Sequence, residues 1–397
     1  MRVAFLSAQA SFLDAIGRTQ SQLARTQEQV STGLKFSRAG QDPAAATLSL
    51  SMDGLLATYE RYGRNAVLAG NRLALEESAL AGAGGVLQRV RELVVQAANG
   101  PQTAENRRMI AAEVRQRLEE LLATANTRDG SGEFLFAGTA TRTQPFVRDG
   151  GSIVYQGDQG RRLVQVAADQ YVADGDSGAA VFELVRNGNG TFSVAQAAAN
   201  GGTGRVGERT VADPAQYDGG SYTLVFTAPD AWEVRDAASA VVADSSYRPG
   251  DAIRFRGLAV VVTGEPAAGD SFTVAPSVNQ SVFGTLERLI AALERPDAGP
   301  AARAALANDL GGALTDLDQA LGNLLEVRAG VGARLSALES RQAQLEDAGV
   351  ELERALSGLR DTDYAEALTR LEQQLLALQV AQKSFARTQG LSLFDYL

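Results

Sequence analysis

With 397 residues and a formal charge of −10, the chain has room for two or three domains. It is too acidic for a nucleic-acid binder, which needs clustered cations against phosphate. It contains neither cysteine nor histidine, which removes disulfides, a thiol nucleophile, a histidine base and ordinary zinc sites. Its 47 acidic residues give close carboxylate pairs by chance, and none falls in a catalytic pattern, so neither an enzyme nor a cofactor is expected.

At the N-terminus, Ala8-Gln9-Ala10 mimics a signal-peptidase site, but the apolar "VAFL" before it is far shorter than the ~7–15 residues of a signal core. No stretch approaches the ~18–20 apolar residues of a membrane span. The expectation is an uncut N-terminus and no membrane insertion. Phe12, Ile16, Thr19, Leu23, Thr26 and Val30 then recur at 4-3-4-3-4 spacing, and Phe5 extends the stripe one heptad back. That is a coiled-coil seam, weakened by its threonines and by Gly17.

Asp42-Pro43 is an N-cap followed by proline at the first helical position. From there to Gly100-Pro101 the pattern is helical, with Leu73, Leu80, Leu87 and Val94 seven apart. Gly82, Gly84 and Gly85 either kink that helix or admit another backbone. A shorter helix runs from about Thr103 to Asn126, with Ile110, Val114, Leu118 and Leu121 on one face.

Between about 139 and 279 the period changes. "SIVYQG", "YTLVFT", "AIRFRGLAVVVTG" and "DSFTVAPS" alternate or run β-branched, and Asp149-Gly150-Gly151, Asn187-Gly188-Asn189-Gly190 and Asp218-Gly219-Gly220 mark turns. A small sandwich or partial barrel is predicted, with "ANGGTGRVGE" (199–208) as a mobile loop. "DGDSG" (174–178) offers a cluster of oxygens for calcium, but it lacks the spaced ligands of an EF-hand loop and reads as a solvated turn.

Helical periodicity returns over 282–294 and 301–359. Tyr364, Leu368, Leu371, Leu375, Leu378, Gln382 and Phe385 then repeat the 4-3 spacing of the N-terminal stripe. The chain finishes on Leu391, Leu393, Phe394, Tyr396 and Leu397, an apolar cluster where termini are usually polar. Residues 1–40 hold five basic and two acidic side chains, and residues 361–397 three basic and five acidic. The opposite signs favour pairing of the two ends, although each exposed pair contributes only ~0–1 kcal/mol.

The predicted fold class is α+β and multidomain: a long antiparallel helical rod or coiled coil from both termini, with an inserted β-rich domain. Residues 1–41 with 360–397 form a terminal coiled-coil domain, 42–138 with 280–359 a helical rod domain, and 139–279 the β insert. Fully burying a large apolar side chain stabilises by ~1.5–3 kcal/mol, whereas ordering backbone costs ~1–2 kcal/mol per residue. The terminal segments are therefore expected to order when neighbouring subunits add surface; an intramolecular helix pair is the plainer alternative.

Several segments resemble the bacterial flagellin superfamily. They are "STGLKFSRAGQDPAAATLS" (31–49), "EESALAGAGGVLQRVRELVVQAANG" (76–100) and "VRAGVGARLSALES" (327–340). "GEFLFAGTATRTQPF" (132–146), "YQGDQGRRLVQVAADQYVADGDSGAAVFE" (155–183) and the terminal "SFARTQGLSLFDYL" (384–397) are similar to one branch of it, the hook–filament junction proteins, or third hook-associated protein (FlgL) family. The resemblance implies a structural ring in the flagellum, outside the cell. Its partners would be the other junction protein on the hook side, flagellin on the filament side and further copies of the chain. It also implies export without signal cleavage and a cytosolic chaperone on the C-terminal segment. The assembly residues would be Phe5, Phe12, Ile16, Leu23 and Val30 at one end, with Leu368, Leu371, Leu375, Leu378, Phe385 and the terminal cluster at the other. The nearest alternative is a flagellin forming the filament itself. A secreted glycan-binding or enzymatic module in the β insert is a further rival.

Overall fold

A computed structural model of the chain describes residues 2–100, 102–296 and 298–394, and for residues 2–6, 8 and 388–394 the backbone alone. It divides into two compact units, residues 1–64 with 341–397 and residues 65–340. The first unit holds α1 (Arg2–Thr32), the start of α2 (Pro43–Ala98), the end of α5 (Pro300–Arg360) and α6 (Tyr364–Phe394). The expected start of α2 is present: the Asp42 carboxylate accepts the Ala45 amide at 2.9 Å. α2 runs unbroken through Gly82, Gly84 and Gly85, and a Cβ at any of them would meet no atom within 4 Å. They therefore admit no close neighbour.

The second unit is built on two separate cores. In the first, Leu73, Leu80, Leu87 and Val94 of α2 are fully buried against α3 (Ala104–Ala125), α4 (Val282–Glu294) and α5. Heptad spacing puts those four on one face of the helix. Phe136, Phe146, Phe182 and Phe283 complete this core as an aromatic cluster, with Phe146 5.5 Å from Phe182 edge-on and 4.9 Å from Phe283. Two short hairpins belong to it, β1 (Phe146–Asp149) with β2 (Ser152–Tyr155), and β3 (Leu163–Ala167) with β4 (Gln170–Ala173). β5 (Val185–Arg186) pairs with β14 (Asn279–Gln280) where the chain leaves this core and returns to it.

The second core lies between two antiparallel sheets, as a sandwich. β6 (Phe192–Gln196), β8 (Tyr222–Ala228), β9 (Ala231–Asp236), β10 (Val241–Ser246) and β13 (Ser271–Pro276) form a sheet in the order β10-β9-β8-β13-β6. β7 (Arg205–Val211), β11 (Ala252–Phe255) and β12 (Leu258–Thr263) form the other, in the order β11-β12-β7. Alternate residues of β8 and β13, among them Tyr222, Leu224, Phe226, Phe272 and Val274, point inward, as a period of two requires. The segment 199–208, expected to be mobile, is tied down. Buried Asp270 accepts the amides of Gly201 at 2.8 Å and Gly202 at 3.1 Å, and residues 205–208 are part of β7. Gly202 serves close backbone approach, since a Cβ there would meet the Ala267 nitrogen.

The "DGDSG" turn is likewise not solvated. Asp174 and Asp176 are buried and matched to arginines. Arg162 Nη2 lies 2.6 Å from Asp174, Arg161 Nε 3.2 Å from Asp176, and Arg334 of α5 pairs with Asp176 as well. Arg72 of α2 pairs with Asp129, and Arg162 also reaches Glu133 at 2.9 Å. Among the described residues, no group of three or more acidic side chains is arranged to hold a metal ion.

One carboxylate of this network lacks an ion-pair partner. Glu76, 1% exposed, accepts only the Asp176 amide at 3.0 Å, and its Oε2 has no hydrogen-bond partner. Burial, and then the neighbouring Asp176 charge, push its pKa from 4.5 to about 8. The folded chain thus keeps a proton that the unfolded chain releases above pH about 4.5, so this group's contribution falls as pH rises from there to about 8. Glu76→Gln should remove that slope. Urea unfolding at pH 5 and pH 8 is expected to show a wild-type loss, relative to the variant, on the order of a few kcal/mol. Identical slopes would contradict a neutral Glu76.

Candidate assembly interface

α1 ends at Gly33, whose φ of +71° is left-handed and whose amide donates to Gln29 O at 2.9 Å. The chain ends are stapled just beyond it. Leu34 bridges Asp361, the Lys35 amide donates to Arg360 O at 2.7 Å, and the Thr362 amide donates to Gly33 O at 2.8 Å. The Lys35 ammonium also reaches Gly358 O. Asp363 then caps α6, accepting the amides of Ala365 at 2.9 Å and Glu366 at 3.2 Å. α1 and α6 consequently run antiparallel within one chain. At the other end of their overlap, Phe12 stacks on Phe385 with centroids 5.5 Å apart and planes 13° from parallel.

From Phe12 to Val30 the periodic stripe of α1 is its less exposed face. Phe12, Ile16, Thr19, Leu23 and Val30 are half-buried, Thr26 is buried, and most of their neighbours are exposed. On α6 the seam is Ala367, Leu371, Gln374, Leu378, Ala381 and Phe385. Leu371, Leu378 and Phe385 thus face α1 as expected. Leu368 and Leu375, which sequence periodicity places in the seam, are exposed at 47% and 39%. The reason is steric. The register that sets Phe12 against Phe385 and Gly33 against Tyr364 puts Ile16 level with Ala381 and Val30 level with Ala367. Large residues on one helix meet small ones on the other, so the seam follows the alanines rather than the largest side chains. The side chains of Phe5, Leu391, Leu393 and Phe394, and the whole of Tyr396 and Leu397, lie outside the described residues.

The leucines displaced from the seam form a second face. Leu13 on α1, with Leu368, Leu375, Leu376 and Val380 on α6, is exposed, Leu376 at 63% and Val380 at 55%. A shallow apolar groove beside Phe12 is lined by Gln373, Leu376, Ala377, Val380 and Ala381. Sequence reading missed Leu376 and Val380 because they fall outside the 4-3 stripe. Their signal was the surplus of apolar residues, more than one seam can use.

Two family descriptions match the helical parts: the bacterial flagellin N-terminal helical region over residues 3–141 and the C-terminal helical region over 314–397. Over its length the chain is similar to the crystal structure of FlgL from Xanthomonas campestris. They share 37% identity and a TM-score of 0.73, over 77% of this chain and 99% of that one. The chain belongs to the FlgL family. It is also 33% identical, with a TM-score of 0.68, to the flagellar junction protein FlgL of Legionella pneumophila, over 72% of this chain and 98% of that one. Flagellar hook-associated protein 3 of Escherichia coli strain K12 is 26% identical over 96% of this chain and 94% of its own length. Flagellins match over only about a third of the chain, which separates it from the filament subunits.

Within the FlgL pair, Gln374 is an internal weakness: its side-chain oxygen is buried without a partner. Gln374→Leu should strengthen the pairing of α1 and α6 by about 1 kcal/mol, the usual cost of an unmet buried polar group. Hydrogen exchange would read this as greater amide protection in both helices of the variant. Reduced protection would contradict the seam.

Proposed function

We propose that the chain is a structural subunit of the flagellar hook–filament junction. In this role it forms a ring that joins the hook side to the filament and supports flagellin assembly. The observation that carries this reading is the division of α6 into two faces. Its inner face is closed by α1 of the same chain, and its outer face, with Leu376 and Val380, is apolar and uncovered. Burying such side chains between copies stabilises by ~1.5–3 kcal/mol each, and a ring repeats the contact at every subunit. The FlgL relatives, matched across nearly their whole length, supply the junction itself.

The finer parts of the reading rest on the likeness to the FlgL family. The neighbours are further copies of the chain, the other junction protein on the hook side and flagellin on the filament side. Export proceeds through the flagellar channel without a cleaved signal, to the outside of the cell. A cytosolic chaperone covers the apolar C-terminal segment beforehand. None of this requires catalysis.

Deleting the gene should leave hooks intact while flagellin spills into the medium. Val380→Asp should reproduce that phenotype with an unchanged melting temperature of the isolated chain, because Val380 faces solvent there. Removing residues 391–397 should leave the 65–340 unit folded and prevent stable incorporation. A tag on the protein found along the whole filament by electron microscopy would overturn the junction reading.

A further inference from the structure

The helical core and the sandwich core of the 65–340 unit are joined through polar contacts. Gln196 Nε2 donates to Ala305 O at 2.9 Å, the Val206 amide to Asn308 Oδ1 at 2.7 Å, and the Gly188 amide to Asp316 Oδ1 at 2.8 Å. Beside them a cleft of about 650 Å³ opens between α4, α5 and β6. That volume is in the range of small-molecule sites, ~300–1,000 Å³, and a junction between two cores is a usual place for one.

Two features of the walls bear on a ligand, a cation without an ion pair and open space beside it. The first is Arg209 of β7. Its side chain is half-buried, and burial lowers its pKa against the raising effect of the Asp316 charge. It has only carbonyl acceptors, Gly311 O at 3.2 Å and Gly207 O at 3.4 Å, and no carboxylate within ion-pair distance. Buried cations are normally paired. Across the cleft, Arg288 of α4 lies 3.9 Å from Asp316 and uses only Nη2 on protein acceptors. The second feature is Gly312, which lines the cleft from the interior of α5. Glycine weakens a helix interior relative to alanine, yet a Cβ here would meet nothing within 4 Å. The space beside Gly312 is therefore open to a ligand.

The lining also narrows the ligand's chemistry. Its charged groups are Arg209, Arg288, Arg295, Asp309 and Asp316, an excess of one positive charge. Arg295 is already matched to Asp309 at 2.9 Å. Val194, Leu289, Ala292 and Ala313 give apolar wall, and no aromatic ring lines the cleft on which a sugar or base could stack. We propose that the cleft binds an aliphatic monocarboxylate, a free short-chain acid or the acidic side chain of a peptide, held by Arg209 and Arg288 beside Gly312. Planar guanidinium forks suit a carboxylate, and the aliphatic stem suits the apolar wall.

The test is ligand-detected NMR on the full chain with three probes: butyrate, a capped peptide carrying a single glutamate, and inorganic phosphate. Butyrate or the peptide should bind, and more tightly than phosphate, which has no aliphatic stem for the apolar wall. Binding of both indicates that the carboxylate and its stem suffice; binding of the peptide alone identifies a polypeptide source. Arg209→Met should weaken binding at least about tenfold, the effect of losing one charge-assisted contact. Gly312→Leu should abolish it by filling the space, with the melting temperature held or raised. No binding by either carboxylate probe, binding of phosphate alone, or unchanged affinity in Gly312→Leu would overturn the proposal.

Discussion

The terminal unit depends on one steric rule, large against small along the α1–α6 seam. Two helices can approach closely only where one of them gives up volume. Ala367 and Ala381 give it up on α6, level with Val30 and Ile16 on α1. The pair is stapled at one end by the backbone bonds between 33–35 and 360–362, and closed at the other by the Phe12–Phe385 stack. With Ala367 and Ala381 at inner positions, Leu368, Leu375, Leu376 and Val380 are left on the outside. The exposed apolar face of α6 is thus a consequence of how the internal seam packs. A pair that used its leucines internally would hold itself together better and have less to offer a neighbour.

A similar trade runs through the seam's polar positions. Thr19, Thr26 and Gln374 occupy places where leucine would stabilise, and Gly17 lowers the helix propensity of α1. A seam of this kind is marginal in one chain and gains most from added surface. The 65–340 unit contrasts with it. Its helical core is filled by fully buried leucines, valines and a phenylalanine cluster, and its buried Asp174 and Asp176 are matched to arginines. Packing is thus strong in one unit and weaker in the other.

Much of this was legible in the sequence, for identifiable reasons. The start of α2 followed from the cap at Asp42, and its core face from heptad leucines, because local chemistry decides both. The α1 stripe was legible since its large residues are also its buried ones. On α6 the same rule failed at Leu368 and Leu375: which stripe faces inward depends on the partner helix, and periodicity alone cannot see the partner. "DGDSG" and 199–208 misled for a related reason. Acidic and glycine-rich runs look solvated until distant groups such as Arg334 and Asp270 come to meet them. The Phe-rich segment 132–146 announced a family resemblance, but its role as the plug of the helical core needed the contacts of Phe136 and Phe146 with Phe182.

The central claim is that the inner face of α6 is closed within the chain and the outer face is closed by other subunits. The chain has no cysteine, so one introduced thiol reports on one position. The decisive measurement is maleimide labelling of V380C in the free chain and in isolated hook–junction–filament particles. The account predicts rapid labelling of the free chain and strong protection in the particles. Equal labelling in both states would contradict it.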